Sequence, residues 1–161
     1  MIVIMGVSGS GKTTIGLQLS DLLGIPFFDA DDFHSEENVT KMKQNIPLND
    51  TDRQPWLESL AVNISEWDSK DGAVLACSAL KESYRKTLAS RVNSITWIYL
   101  SGSFDVINSR IKNRSGHYMK STLLQSQFDT LEIPEYGIHI DVALDLKEII
   151  SIITSKLEGH A

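Results

Sequence analysis

Cysteine is nearly missing from this chain: Cys77 stands alone among 161 residues, inside the apolar run AVLAC. One thiol excludes an internal disulfide and a cysteine metal cluster, and it points to a reducing compartment. Long apolar runs are missing as well. No stretch approaches the 18 or so residues of a membrane-spanning helix, and the opening MIVIMG has neither a basic leader nor an apolar segment long enough to be cleaved as a signal. The expected location is the cytoplasm, with no membrane partner. Positive charge is also in short supply, since 15 Lys and Arg against 21 Asp and Glu leave a net charge of −6. That balance disfavours nucleic acid or an anionic membrane as the main partner. Four prolines and ten glycines are too few for a disordered or fibrous chain.

What is present suits one globular domain spanning residues 1–161, with 42% hydrophobic residues to fill its core. The charge is unevenly spread. Between Lys81 and Lys120, eight Lys or Arg face only Glu82 and Asp105, a local balance of +6 that leaves −12 elsewhere. A small anion fits between such halves.

Five short apolar runs read as strands: IVIM (2–5), PFFD (26–29), AVLACS (73–78), ITWIYL (95–100) and IHIDV (138–142). Their continuous hydrophobicity predicts strands covered on both faces, as in a parallel sheet. Helical spacing separates them. Ile15, Leu19, Leu22 and Leu23 share a face that ends at Gly24, and Leu57, Leu60, Ile64 and Trp67 share another, running from an Asp52 cap to Gly72. Further helices are expected near Leu80–Val92, over Phe104–Asn113, after Ser121 with Leu124, Phe128 and Leu131 aligned, and over Leu146–Leu157. Alternating strands and helices predict a three-layer α/β fold, a five-stranded parallel sheet flanked by helices. Residues 34–51 and 113–120 are the least regular stretches, where functional loops are expected.

GVSGSGKT, from Gly6 to Thr13, fits the phosphate-loop pattern G-x-x-x-x-G-K-[ST] between the first strand and the first helix. Its glycines free backbone N–H groups to face phosphate oxygens at the positive end of the helix. The expected nucleotide-binding set is Gly6, Ser8, Gly9, Ser10, Gly11, Lys12, Thr13 and Thr14, with Lys12 near the β- and γ-phosphates and the Thr13 hydroxyl on Mg²⁺. The same cradle serves GTPases, motors and metabolite kinases, so the acceptor has to be read elsewhere.

FFDADDFH ends the second strand on the edge where an open parallel sheet gathers its ligands. A carboxylate there can support Mg²⁺ and another can take a proton from an attacking hydroxyl. Alternation along an extended chain puts Asp29 and Asp31 on one side and Asp32 on the other, which assigns metal support to Asp29, proton transfer to Asp31, and neither to Asp32. The third strand ends at Ser78, where many P-loop proteins carry the acid that supports the metal.

FFDADDFHSEENVTKMKQNIPLNDTDRQPWL, VLACSALKESYRKTL and IYLSGSFDVINSRIKNRSGHYMKSTLLQSQFDTLE closely resemble the gluconate kinases, a metabolite-kinase family of the P-loop class, over about residues 2–155. The resemblance implies phosphorylation of D-gluconate at its 6-hydroxyl by Mg-ATP, in a homodimer. It differs from the family pattern at Ala30 and Asn45, where glycine is usual, and at Ser35, where proline often follows the histidine.

Gluconate offers a carboxylate and five hydroxyls, so its site calls for cationic forks and hydrogen-bonding groups. Arg53 and Arg85 suit the carboxylate, while Lys81, His34 and Ser78 suit hydroxyls or the transferring phosphoryl. The resemblance supports His34, Arg53, Lys81 and Arg85 on the acceptor side, within a substrate segment of about 31–56 for its first part. Arg110 and Arg114 lie one helical turn apart before a Ser-Gly break. In the resembling kinases arginines of this segment contact the nucleotide and the transition state, which makes about 110–124 a helical lid. His117 and Gln127 are expected to touch substrate or position the lid. The rivals are a kinase of another polyhydroxy acid, such as shikimate, and a nucleotide-binding regulatory module.

Overall fold

The computed structural model describes residues 1–114 and 121–159. Three apolar runs become the middle of a sheet: β1 (Ile2–Met5), β3 (Val74–Ala76) and β4 (Thr96–Ser101), with β1 and β3 buried along their whole length. β2 (Phe27–Asp29) and β5 (Ile138–Asp141) form the edges. All neighbours pair in parallel, in the order β2-β3-β1-β4-β5. The three-layer arrangement expected from the alternation is therefore the one observed.

Helices α1 (Lys12–Leu23), α2 (Glu36–Lys43), α3 (Asp50–Asp68), α4 (Glu82–Ala89), α5 (Phe104–Lys112), α6 (Ser121–Thr130) and α7 (Leu146–Gly159) surround the sheet. One core packs Ile4, Ile15, Leu19, Ile98, Ile107 and Ile153. The other packs Val3, Met5, Leu57, Leu60, Ile64 and Leu75. The alternation of Val3 and Met5 against Ile2 and Ile4 assigns successive residues of β1 to opposite cores, as the pleat requires.

Three expectations change. Residues 34–51 are not irregular throughout, because α2 forms there with little apolar periodicity. Ser35 caps it by accepting from Asn38 N–H (3.2 Å), Glu36 and Glu37 occupy its first turn, and Lys41 and Lys43 its last. Asn49, not Asp52, caps α3; Asp52 returns the bond to Asn49 N–H as the second half of a capping box. Finally, Leu22 and Leu23 are 63% and 41% exposed, so the last turn of α1 faces solvent despite its apolar spacing.

β1, β2 and β3 run parallel, so the loops that follow them emerge on one edge. The cradle follows β1, the acidic turn follows β2 and Ser78 follows β3.

Candidate active site

The cradle is built by backbone shape. Gly9 has φ +78, and a Cβ on it would lie 2.6 Å from Ile111 Cγ1, so both the left-handed conformation and the contact with α5 require glycine. Gly11, at φ 100, caps α1 and turns its first N–H groups outward. Lys12 Nζ donates to the carbonyls of Gly6 (3.0 Å) and Val7 (2.9 Å), which holds the ammonium against the cradle. Burial lowers its pKa, opposed by the charge of Asp31. An anionic ligand restores what burial removes.

A cleft of about 790 Å³ opens over this loop, lined among others by Gly9, Lys12, Thr13, Asp29, Asp31 and Arg114. Asp29 Oδ2 lies 3.5 Å from Thr13 Oγ1, and its Oδ1 accepts from Asp31 N–H at 3.0 Å. Among the described residues no three His, Cys, Asp or Glu side chains form a metal cage. Two hard oxygens beside a phosphate cleft nevertheless fit Mg²⁺, which keeps several waters and takes phosphate oxygens for the rest of its shell.

Asp29 and Asp31 share the cleft while Asp32 lies outside its lining, the division expected from the sequence. The reason is different. Ala30–Phe33 is a turn of 3₁₀ helix, not extended chain, and Asp29 caps it. Asp31 keeps 75% of its side chain exposed, so its desolvation is that of a cleft wall and not of a core. That desolvation, with Asp29 beside it, raises the Asp31 pKa, and Lys12 opposes the rise.

A second cavity, of about 240 Å³, adjoins the first; its walls include His34, Leu48, Arg53, Trp56, Tyr84 and Gln127. Ser8, Asp31 and Ser78 line both cavities. His34 stacks on Trp56 with ring centroids 4.1 Å apart, and its Nε2 is 3.9 Å from Asp31 Oδ1. Burial first, then Arg53, lowers its pKa to about 4, so the ring is neutral at pH 7. Trp56 is held in turn by donation from Nε1 to Ala30 O at 2.8 Å. Arg53 donates to Leu48 O (2.6 Å) and to the Tyr84 hydroxyl (3.3 Å), and sits over the Tyr84 ring. Gln127 reaches across from α6 to Ser8.

The departures from the resembling pattern have local explanations. Asn45 adopts φ 57, the left-handed form in which asparagine is among the better-tolerated substitutes for glycine. Ser35 serves as the α2 cap described above. Ala30 is buried and offers its carbonyl to Trp56.

Other expected site residues lie apart from this cavity. Lys81 bonds both carboxylate oxygens of Asp50 at 3.1 Å and lines neither cavity. Arg85 is 2% exposed and bonded to protein at every guanidinium nitrogen, so it has no face to offer an acceptor. Arg110 donates to Val142 O and, with Arg114, flanks the outer side of the cradle beside Gly9, Gly11 and Thr14. Ser10 is buried with an unbonded hydroxyl. His117 lies outside the described residues. Sequence reading missed Tyr84, whose hydroxyl donates to Asp50 and accepts from Arg53. The signal available was the spacing Lys81, Tyr84, Arg85 across the start of α4.

The family model described as shikimate kinase matches residues 8–134. A protein described as "Probable gluconokinase" from Xenopus tropicalis is 45% identical over 176 residues, covering 99% of this chain and 92% of that one. The thermosensitive gluconokinase of Escherichia coli is 39% identical, covering 96% of this chain and 83% of its own. The crystal structure of a gluconokinase from Sinorhizobium meliloti superposes with a TM-score of 0.88 at 38% identity, covering 99% of this chain and 96% of that one. A P-loop between strand and helix, a second cavity meeting it at three residues, and identity of this extent along nearly the whole length place the chain in the gluconokinase family of P-loop kinases.

Proposed function

We propose that this enzyme transfers the γ-phosphoryl group of ATP to the 6-hydroxyl of D-gluconate, giving 6-phospho-D-gluconate and ADP. The observation that carries the reading is the meeting of the two cavities at Ser8, Asp31 and Ser78, in a chain kin to gluconokinases. ATP lies over Gly6–Thr14, with Lys12 turning from the Gly6 and Val7 carbonyls to the β- and γ-phosphates. Gluconate occupies the smaller cavity with its carboxylate toward Arg53, the lining cation whose fork suits it.

The gluconate 6-oxygen attacks the γ-phosphorus as the bond to the β,γ-bridging oxygen breaks, and the hydroxyl proton passes to Asp31. A raised pKa suits Asp31 to that task, and the neutral ring of His34 orients the acceptor without drawing the carboxylate into a tight ion pair. Thr13 and Asp29 would hold Mg²⁺, which neutralises charge on the phosphate oxygens when bound. Arg110 and Arg114, beside the cradle, meet the phosphates; the lid expected over about 110–124 lies partly outside the described residues. Because the transition state is loose, positioning and charge neutralisation outweigh base strength. The family resemblance also supports a homodimer, and the lone cysteine supports a reducing, cytoplasmic location, for which light scattering and cell fractionation are the tests. Among the described residues no helix is long and apolar enough to cross a membrane.

ADP release across a panel of sugar acids, with the product identified by NMR, tests the reading. Turnover of gluconate to the 6-phosphate is expected. The shikimate kinase family match favours a second reading, a cyclic hydroxy acid as acceptor, and activity on shikimate with none on gluconate overturns the first.

A further inference from the structure

Ala79 has φ 45, a left-handed conformation that costs a residue with a Cβ and that alanine does not adopt without outside support. It sits between Ser78 and Leu80, and all three line the smaller cavity. The support is visible. Arg85 Nη1 donates to Ala79 O at 2.7 Å and to Leu80 O at 3.4 Å, and Nη2 donates to Glu132 O at 2.8 Å, just past the end of α6. Glu132 N–H closes the loop by donating to Leu80 O at 2.8 Å. The fork is itself fixed from behind, where Nε donates to Glu82 Oε2 and to the Tyr136 hydroxyl, both at 2.9 Å.

We infer that Arg85 is a positioning residue: it never meets the acceptor, and instead clamps the Ser78–Leu80 turn, in its strained form, to the end of α6, so that two walls of the acceptor cavity keep their spacing. A planar fork with donors in fixed directions is what three carbonyls on two segments require, and lysine cannot reproduce it. The turn also reaches the cradle, since Ser78 O accepts from Gly6 N–H at 3.3 Å. The inference rests on reading the smaller cavity as the acceptor site.

Arg85→Lys keeps the charge and loses the fork. The expected result is a lower melting temperature and a fall of about tenfold in kcat/KM for gluconate, with a smaller change in KM for ATP. Ala79→Gly, which adopts φ 45 without strain, then recovers at least about threefold of that loss and part of the melting temperature. A direct ligand of the acceptor carboxylate would show no such rescue, so a double variant no better than Arg85→Lys, or an Arg85→Lys enzyme within about twofold of the parent, overturns the inference.

Should Arg85→Lys fail to fold, Tyr136→Phe puts the same question from outside both cavities. It removes one bond from Nε and is expected to lower kcat/KM for gluconate by about threefold, again recovered by Ala79→Gly; unchanged kinetics overturn the inference. The melting-temperature rescue needs no acceptor. A wrong substrate assignment therefore leaves that arm intact, whereas a wrong role for Arg85 abolishes it.

Discussion

Gln127 grips Ser8 at both ends of its amide: Oε1 accepts from Ser8 N–H at 2.7 Å, and Nε2 donates to Ser8 Oγ at 3.0 Å. Helix α6 is thereby tied to the phosphate cradle on the side that faces the smaller cavity. Gln127→Glu keeps the acceptor, loses the donor and brings a negative charge toward the phosphates. Turnover is expected to fall on the order of tenfold to a hundredfold, and Gln127→Ala less, with circular dichroism unchanged. A Gln127→Glu enzyme as active as the parent would rule this coupling out.

Asp31→Asn separates chemistry from stability. Because the folded state raises the Asp31 pKa, the ionised carboxylate destabilises the fold once the pH exceeds its unfolded value, a cost that the neutral amide removes. The variant should melt at a higher temperature than the parent at pH 7 while losing turnover, with ATP affinity little changed. Unaltered turnover would show that the proton goes elsewhere. Lys12→Met, by contrast, should weaken ATP binding and turnover together.

His34 makes the fold sensitive to acid. The unfolded chain protonates this ring near pH 6.5 and the folded one only near 4, so the unfolded state binds more protons between those values. Stability from this group is complete above about pH 6.5 and is lost as the pH falls toward 4, by up to about 3 kcal/mol. His34→Phe, which retains a ring against Trp56, should flatten the dependence of melting temperature on pH across that window. An identical slope in both proteins would contradict the burial of the ring.

Asn45, at φ 57, is another site where the backbone sets a side-chain requirement. Asn45→Ala should lower stability by about 1 kcal/mol and raise KM for gluconate, because the left-handed residue leads into Ile46, Pro47 and Leu48 of the cavity wall. Asn45→Gly should equal or exceed the parent in thermal denaturation. If Ala proves the more stable of the two, residue 45 is not left-handed.

These residues also show what can be read from a chain by itself. The cradle was legible because its chemistry is local: eight consecutive residues, Gly6 to Thr13, carry the glycines, the cation and the hydroxyl. The inner strands β1 and β3 were legible because burial on both faces leaves an unbroken apolar run, whereas β2 is only partly buried and β5 alternates buried and exposed residues, contrary to the expectation of two covered faces. The wall of the smaller cavity was not legible, since its parts meet from far along the chain. Tyr84 meets Asp50 across 34 positions and Gln127 meets Ser8 across 119. α2 escaped notice for a related reason: its fit comes from Asn38 donating to Asp52 O and Lys41 pairing with Asp52, and from no apolar stripe. Arg85 shows the limit most plainly, because a guanidinium near a site looks the same in sequence whether an acceptor or three backbone carbonyls claim it.

The meeting of the two cavities at Ser8, Asp31 and Ser78 has a consequence for how such an enzyme can change. Beyond those three positions, the smaller cavity, proposed for the acceptor, draws on the tail of α2, the openings of α3 and α4, and α6, while the larger cleft draws on the cradle, α1, the ends of β2 and β3 and the end of α5. Acceptor preference can therefore be rebuilt segment by segment, by selection or by design, without rewriting the phosphate machinery. Any new substrate needs only to deliver its hydroxyl to the same junction.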